Sequence, residues 1–149
     1  MQLNITDERL AKILGGVLAQ KVQKHTLTSL SIDTRAMQKG QIYWAIKGHK
    51  HDGHDFIKDA VDKGAALVIA EHGRAQEAIE AGAGVIEVSD TLLALQTLAK
   101  YQRERSHARI AAITGSNGKS TTKQMLLSIA SNAGKTAANP GNLNNQIGV

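Results

Sequence analysis

Residues 109–122 read Arg109-Ile110-Ala111-Ala112-Ile113-Thr114-Gly115-Ser116-Asn117-Gly118-Lys119-Ser120-Thr121-Thr122. The apolar run ending at Thr114 predicts a buried strand and the two glycines a tight turn. Met125, Leu126, Ile129 and Ala130 give the stretch from about Lys119 onward helical spacing. Strand, glycine-rich turn and Lys-Ser at a helix start form a phosphate-binding arrangement. Glycines let backbone N–H groups converge, unpaired first-turn amides attract an anion, Lys119 adds a point charge, and the Ser120 hydroxyl can ligate Mg2+. The longer pattern G-x-x-x-x-G-K-[ST] would need glycine where Ile113 stands. Here the first glycine is Gly115 and the loop is a compact G-x-x-G-K-S.

The rest of the chain limits what such a loop can serve. With 149 residues, 42% of them hydrophobic and 21% charged, the chain is an ordinary globular one of one domain or two small ones. The absence of Cys removes disulfides, thiol nucleophiles and thiolate metal sites. No run approaches the ~20 apolar residues of a membrane span, and the start lacks the regions of a signal peptide. These features predict a soluble cytoplasmic protein without membrane insertion. All 13 carboxylates lie between Asp7 and Glu104, while residues 106–149 carry Arg109, Lys119, Lys123 and Lys135 with no acid. That asymmetry suits a phosphorylated small molecule or a polyanion. The cations are spread singly with no aromatic residue among them, so a single-strand stacking platform is missing and no nucleic-acid partner is expected.

Working toward the N-terminus, Leu10, Ile13, Leu14, Val17 and Leu18 predict an amphipathic helix after Thr6, weakened by Gly15-Gly16. Leu27–Asp33 and Gln41–Ile46 read as strands joined by a polar turn, and a Gly/His-rich loop spans 48–55. A short helix to Gly64, a strand at Ala66–Ala70, a helix at Arg74–Ala81 and a strand at Val85–Val88 follow. This alternation is α/β. Ser89 or Asp90 caps a longer helix whose Leu92, Leu93, Leu95, Leu98 and Ala99 form an apolar side, expected to be core between two units. Lys135–Ala138 reads as a further strand. The expected division is a small mixed-sheet domain over 1–88 and the start of a parallel-sheet ATP-binding domain over 89–149.

A phosphate loop needs more than itself to act on a nucleotide triphosphate: a carboxylate for the metal and a group that orients the nucleophile. No acid follows Lys119, and one strand with one helix cannot cover both faces of a parallel sheet. The chain therefore reads as an N-terminal fragment, inactive alone.

Ile113-Thr114-Gly115-Ser116-Asn117-Gly118-Lys119-Ser120-Thr121-Thr122 resembles the ATP-binding loop of the Mur ligase superfamily, a form shared with folylpolyglutamate synthetases. Upstream, Ser31-Ile32-Asp33-Thr34-Arg35, then Gly40-Gln41-Ile42-Tyr43-Trp44-Ala45-Ile46-Lys47-Gly48 and Asp52-Gly53-His54-Asp55-Phe56, resemble the nucleotide-sugar domain of two of its members. These add the third residue, or the terminal dipeptide, to the peptidoglycan precursor. The tail Gly141-Asn142-Leu143-Asn144-Asn145-Gln146-Ile147-Gly148 is similar to the dipeptide-adding member; the third-residue enzymes carry a Thr-Thr-Pro segment nearby.

The resemblance implies a monomeric ATP- and Mg2+-dependent ligase. ATP would phosphorylate the carboxylate of UDP-N-acetylmuramoyl-tripeptide, and the amine of D-alanyl-D-alanine would attack the acyl phosphate. It further implies that Gly115, Ser116, Asn117, Gly118, Lys119, Ser120 and Thr121 wrap the phosphates, with Lys119 catalytic and Ser120 on Mg2+. Thr34, Arg35, Gly48, His49, Lys50 and His51 would hold the uridine diphosphate end, with Asn142, Asn144 and Asn145 beside the sugar or phosphates. Alternatives are a third-residue ligase and a stand-alone nucleotide-binding module. His49, His51 and His54 have no spacing that suits a metal, so they read as a solvated or substrate-facing loop with His54 at a helix start. Trp44 and Phe56 read as packing residues.

Overall fold

A computed structural model describes residues 3–22, 27–48 and 50–139. The chain divides into two compact units, Met1–Arg105 and Ser106–Val149. In the first unit the elements run α1 (Asp7–Leu14), β1 (Val17–Gln20), β2 (Leu30–Ser31), β3 (Ile42–Trp44), a 3-10 turn (Gly53–Phe56), α2 (Ile57–Asp62), β4 (Leu67–Glu71), α3 (Gln76–Glu80), β5 (Gly84–Val88) and α4 (Thr91–Glu104). The five strands form one sheet in the order β1-β5-β4-β3-β2, with β1 antiparallel to β5 and the other pairs parallel.

Parallel strands covered on both faces have no solvent side, so they read as continuous apolar runs rather than alternating ones. Accordingly β3 is buried throughout and β4 is buried up to its last residue. Side chains still alternate between faces. Ile42, Trp44, Leu67, Ile69, Ile86 and Val88 pack with Leu10 of α1 and with Ala94 and Leu98 of α4. Tyr43, Ala45, Val68, Ala70 and Val85 pack with Ile57 and Ala60 of α2 and Ala78 of α3. The mixed α/β class is as expected.

Three boundaries differ most from the sequence reading. The first helix ends at Leu14, because Gly15 takes a left-handed conformation (φ 64°) and its N–H closes on the carbonyls of Ala11 and Lys12. Val17 and Leu18 then belong to β1, and the glycine pair that weakened the helix is its stop. The expected strand over 27–33 is reduced to Leu30–Ser31, with Leu27 in an isolated bridge to Ile5. The compact first unit also runs to Arg105 instead of ending near residue 88. The indole N–H of Trp44 donates to the carbonyl of Thr91 at 2.8 Å, and Ala94 and Leu98 lie in the sheet core. The buried stripe of α4 is thus Thr91, Ala94 and Leu98, whereas Leu93 is 57% exposed and is not core. Phe56, read as a packing residue, is 42% exposed.

In the second unit the described regular element is α5 (Lys119–Ala133). The segments 109–114 and 135–138, expected as strands, carry no strand assignment, and almost all their residues are exposed. A strand is defined by ladder bonds to a neighbour, and no neighbouring strand is present among the described residues of this unit. The apolar residues Ile110, Met125, Leu126 and Ile129 of this unit are exposed.

The chain folds closely on itself at Gly53. A Cβ there would lie 2.6 Å from the Ile46 nitrogen and 2.8 Å from its oxygen. Both are backbone atoms that cannot swing aside, and Gly53 N–H donates to that same Ile46 oxygen. Gly53→Ala is expected to destabilise the first unit by about 1–3 kcal/mol. Urea unfolding followed by circular dichroism measures it, and a change within about 0.5 kcal/mol would contradict the crowding.

Candidate functional site

Because β2, β3, β4 and β5 run parallel, their carboxyl ends share one edge of the sheet. In open α/β sheets ligands bind at that edge, where successive loops converge without strand pairing between them. Thr34 and Arg35 follow β2, Gly48, Lys50 and His51 follow β3, His72 and Arg74 follow β4, and Asp90 follows β5. Topology therefore brings the two expected substrate segments, far apart in sequence, to one edge. His49 lies outside the described residues, as do Asn142, Asn144 and Asn145.

Asp33, Thr34 and Arg35 form a tight turn. The Asp33 carboxylate accepts from the Arg35 backbone N–H at 2.9 Å and from the guanidinium at 2.7 and 2.9 Å. Those bonds draw the Asp33 carboxyl down to about 2. The Arg35 side chain remains 87% exposed, so its guanidinium is oriented by Asp33 yet open to solvent. Thr34 is buried. Its carbonyl accepts from Lys63 Nζ at 3.0 Å, and its hydrogen bond to Asp59, with Lys63 alongside, keeps that carboxyl below its usual range. Thr34 thus fixes the turn from inside while Arg35 faces out.

The loop after β3 is closed twice. Lys47 and Asp52 form an antiparallel bridge, and Gly48 N–H donates to the His51 carbonyl at 2.8 Å. Lys47, Gly48, Lys50 and His51 are all exposed, which leaves a cationic rim at the edge. Beneath it Asp52 caps the 3-10 turn by accepting from His54 N–H at 3.0 Å. Tyr43 donates its hydroxyl to the Gly53 carbonyl at 2.8 Å, and burial pushes that phenol up to about 12, so it stays a donor.

His54 lies at a helix start as expected, in the 3-10 turn Gly53–Phe56, but it belongs to no solvated loop: its side chain is 1% exposed. Its Nε2 accepts from the Glu71 backbone N–H at 3.0 Å and its Nδ1 lies 2.6 Å from Asp52 Oδ1. A nitrogen facing an N–H must be unprotonated, so the ring carries its proton on Nδ1 and donates it to Asp52. Arg74 Nη1 donates to the other Asp52 oxygen at 2.6 Å. Burial would raise the Asp52 carboxyl, but bonds from Arg74, the His54 N–H and the His54 ring outweigh it and hold the group well below the carboxylate range. The motif Asp52-Gly53-His54 was visible in the sequence as a turn. Arg74 had no signal, since nothing local says that the β4 loop reaches Asp52.

A lowered native carboxyl value gives stability that is complete above the unfolded value of ~3.9 and is lost as pH falls through the native one. Wild type is expected to exceed Asp52→Asn in stability at about pH 7, and the gap should close below about pH 4. Urea midpoints across that range measure it; a gap constant with pH would contradict the ionised cap.

In the second unit Gly118 takes a left-handed conformation (φ 76°) at the N-cap of α5, which has no side-chain cap. Lys119 folds back so that Nζ donates to the Gly115 carbonyl at 2.6 Å and lies 3.5 Å from the Ser116 carbonyl. The ammonium thereby closes a ring over residues 115–119. First-turn amides without a side-chain cap beside a fixed cation suit the phosphates of a nucleotide. Ser120 and Thr121 follow Lys119 in the first turn of α5. Lys119 and Ser120 border a cleft of about 910 Å³ whose walls include Ile110, Ile113, Leu126 and Ala137. Gly115 to Gly118 thus form the turn, and Lys119 to Thr121 the first residues of α5. Among the described residues of this unit no carboxylate accompanies Ser120.

The Mur ligase family catalytic-domain model matches residues 26–103, and the Mur ligase middle-domain model matches 113–149. The chain is 34% identical over 97% of its length to the UDP-N-acetylmuramoyl-tripeptide--D-alanyl-D-alanine ligase of Bacillus subtilis. It is 35% identical over 99% of its length to that of Escherichia coli, and it spans 31% of each. The solved MurF of Acinetobacter baumannii superposes with TM-score 0.86 at 33% identity, over 99% of this chain and 32% of that one. MurF of Thermotoga maritima in complex with ADP superposes with TM-score 0.65 at 29% identity, over 80% of this chain and 27% of that one. The chain spans about a third of the length of these relatives. A mixed sheet followed by a glycine-lysine turn and helix occupies the two stretches that the two domain models match in that order, and the chain belongs to the Mur ligase family.

Proposed function

We propose that this chain supplies the nucleotide-sugar edge and the ATP loop of a cytoplasmic ligase that joins D-alanyl-D-alanine to UDP-N-acetylmuramoyl-tripeptide. The reading is carried by the relatives' agreement over nearly the whole chain, all bearing that one activity in their names. The carboxyl edge of the first unit would receive the uridine diphosphate end, with Arg35 and the rim from Gly48 to His51 as its contacts. Residues 115–121 would hold the phosphates of ATP, and Ser120 would take one Mg2+ position. Lys119 would neutralise charge as the phosphoryl group moves to the tripeptide carboxylate, giving the acyl phosphate that the dipeptide amine attacks. With no acid after Glu104 to accompany a metal, the isolated chain is expected to release no ADP; it is expected to be monomeric.

The test has two parts. The 149-residue chain is titrated with UDP-N-acetylmuramoyl-tripeptide by NMR, with shifts expected at Arg35, Gly48 and His51. A chimera in which the chain replaces the matching third of the Bacillus subtilis ligase is assayed for phosphate release. Release that requires D-alanyl-D-alanine is the expected result. Release that instead requires a single amino acid on a dipeptide precursor would establish the third-residue reaction. Binding by the chain without shifts at the carboxyl edge would displace the assigned site.

A further inference from the structure

The geometry points to Arg74 as a positioning residue that acts through Asp52 to fix Gly48, Lys50 and His51 after β3, and that makes no contact with the ligand's phosphates. This inference rests on the reading that the carboxyl edge receives a uridine diphosphate group. Arg74 follows β4 and Asp52 follows β3, so their 2.6 Å bond ties together two loops that share no strand pairing. The same Asp52 is the N-cap of the 3-10 turn, the bridge partner of Lys47 and the acceptor for His54, whose other nitrogen is bonded to the Glu71 backbone. Asp52 is thus the point where the exposed rim is fastened to the buried sheet, and Arg74 closes that fastening from outside.

Charge separates this role from direct anion contact. Arg74 faces Asp52 at 2.6 Å and Asp55 at 3.8 Å, so its positive charge is offset locally. Arg35 is paired with one carboxylate, and Lys47 and Lys50 stand exposed on the rim. Those groups carry the field that an incoming diphosphate meets, while Arg74 sets where the rim lies. Loss of a contact of this kind lowers the affinity for the whole nucleoside and its phosphates alike, because it reduces the fraction of molecules with the loop in place.

The chain, Arg74→Met, Arg74→Lys, Asp52→Asn and the double variant Asp52→Asn with Arg74→Met are titrated with UDP and with uridine by NMR. Amide exchange is read at Gly48 N–H and at the β4 and β5 core amides. In Arg74→Met, Gly48 exchange is expected to quicken about tenfold and affinity for both ligands to fall about tenfold, with core amides unchanged. Arg74→Lys, which keeps the charge without the fork, should lie between. The double variant should be no weaker than Asp52→Asn alone, since both changes open the same fastening. A loss confined to UDP, or additive effects in the double variant, would make Arg74 a direct phosphate contact and overturn the inference. Unchanged Gly48 exchange would overturn it as well. If wild type binds neither ligand, the assignment of the edge falls; Gly48 exchange in Arg74→Met then decides the fastening by itself, quickened upholding it and unchanged rejecting it.

Discussion

Replacing Trp44 with alanine is expected to cost the first unit about 3–5 kcal/mol, a large share of the total of about 5–15 kcal/mol that holds an ordinary domain folded. Trp44 is fully buried at the carboxyl end of β3, the strand between β2 and β4, within the core shared with α1 and α4. Its indole N–H also ties α4 to the sheet through the Thr91 carbonyl. Truncation removes both the apolar contact and the tie, and the surrounding strands cannot close the space because their spacing is set by ladder bonds. Trp44→Phe keeps most of the volume and loses the hydrogen bond, so a smaller loss of about 1–2 kcal/mol is expected. Urea unfolding should be followed by far-ultraviolet circular dichroism, since Trp44 is the only tryptophan. A Trp44→Ala loss below about 1 kcal/mol would show that α4 is not fastened through this residue.

Lys119→Ala is expected to weaken ATP binding by the chain, and phosphate release by the chimera, by at least about a hundredfold. The lysine is held over the Gly115 and Ser116 carbonyls before any ligand arrives, so its charge is placed without a further ordering cost. Alanine removes the cation and also the bonds that close the loop. Arginine restores charge, but its planar fork does not reproduce a single ammonium over two carbonyls, and it should recover only a minor part. Lys119 is exposed and lies outside the first unit, so the unfolding midpoint of that unit should not move. Fluorescent ATP-analogue titration with parallel circular dichroism checks both statements; a loss below about threefold would remove Lys119 from the phosphate site.

Much of the candidate site was legible because its signals are local. The compact motif from Gly115 to Thr121 is one turn and the start of α5, and its glycines and lysine are neighbours in sequence. The substrate segments at Thr34-Arg35 and Gly48–His51 were each visible as turns for the same reason. The buried state of His54 was not legible. A histidine in a Gly/His-rich stretch looks solvated, and only the β4 backbone that approaches its Nε2 makes it a buried acceptor. Arg74 was hidden likewise, since its partner lies 22 residues away on another loop.

Sequence by itself determined the α/β alternation, the buried strands near 42–46, 66–70 and 85–88, a helix start at Ser89 or Asp90 and the glycine-lysine motif, because each depends on residues within one turn or one strand of each other. Tertiary structure decided the rest. It ended the first helix at Gly15 and gave Val17 and Leu18 to the edge of the sheet, where β5 was available to pair. It drew α4 into the first unit through Trp44, and it left 109–114 without a ladder. Parallel order alone brought Arg35, the Gly48 loop and Arg74 to one edge. Strand pairing and burial are relations between distant segments, and no local pattern of side chains encodes which distant partner will be there.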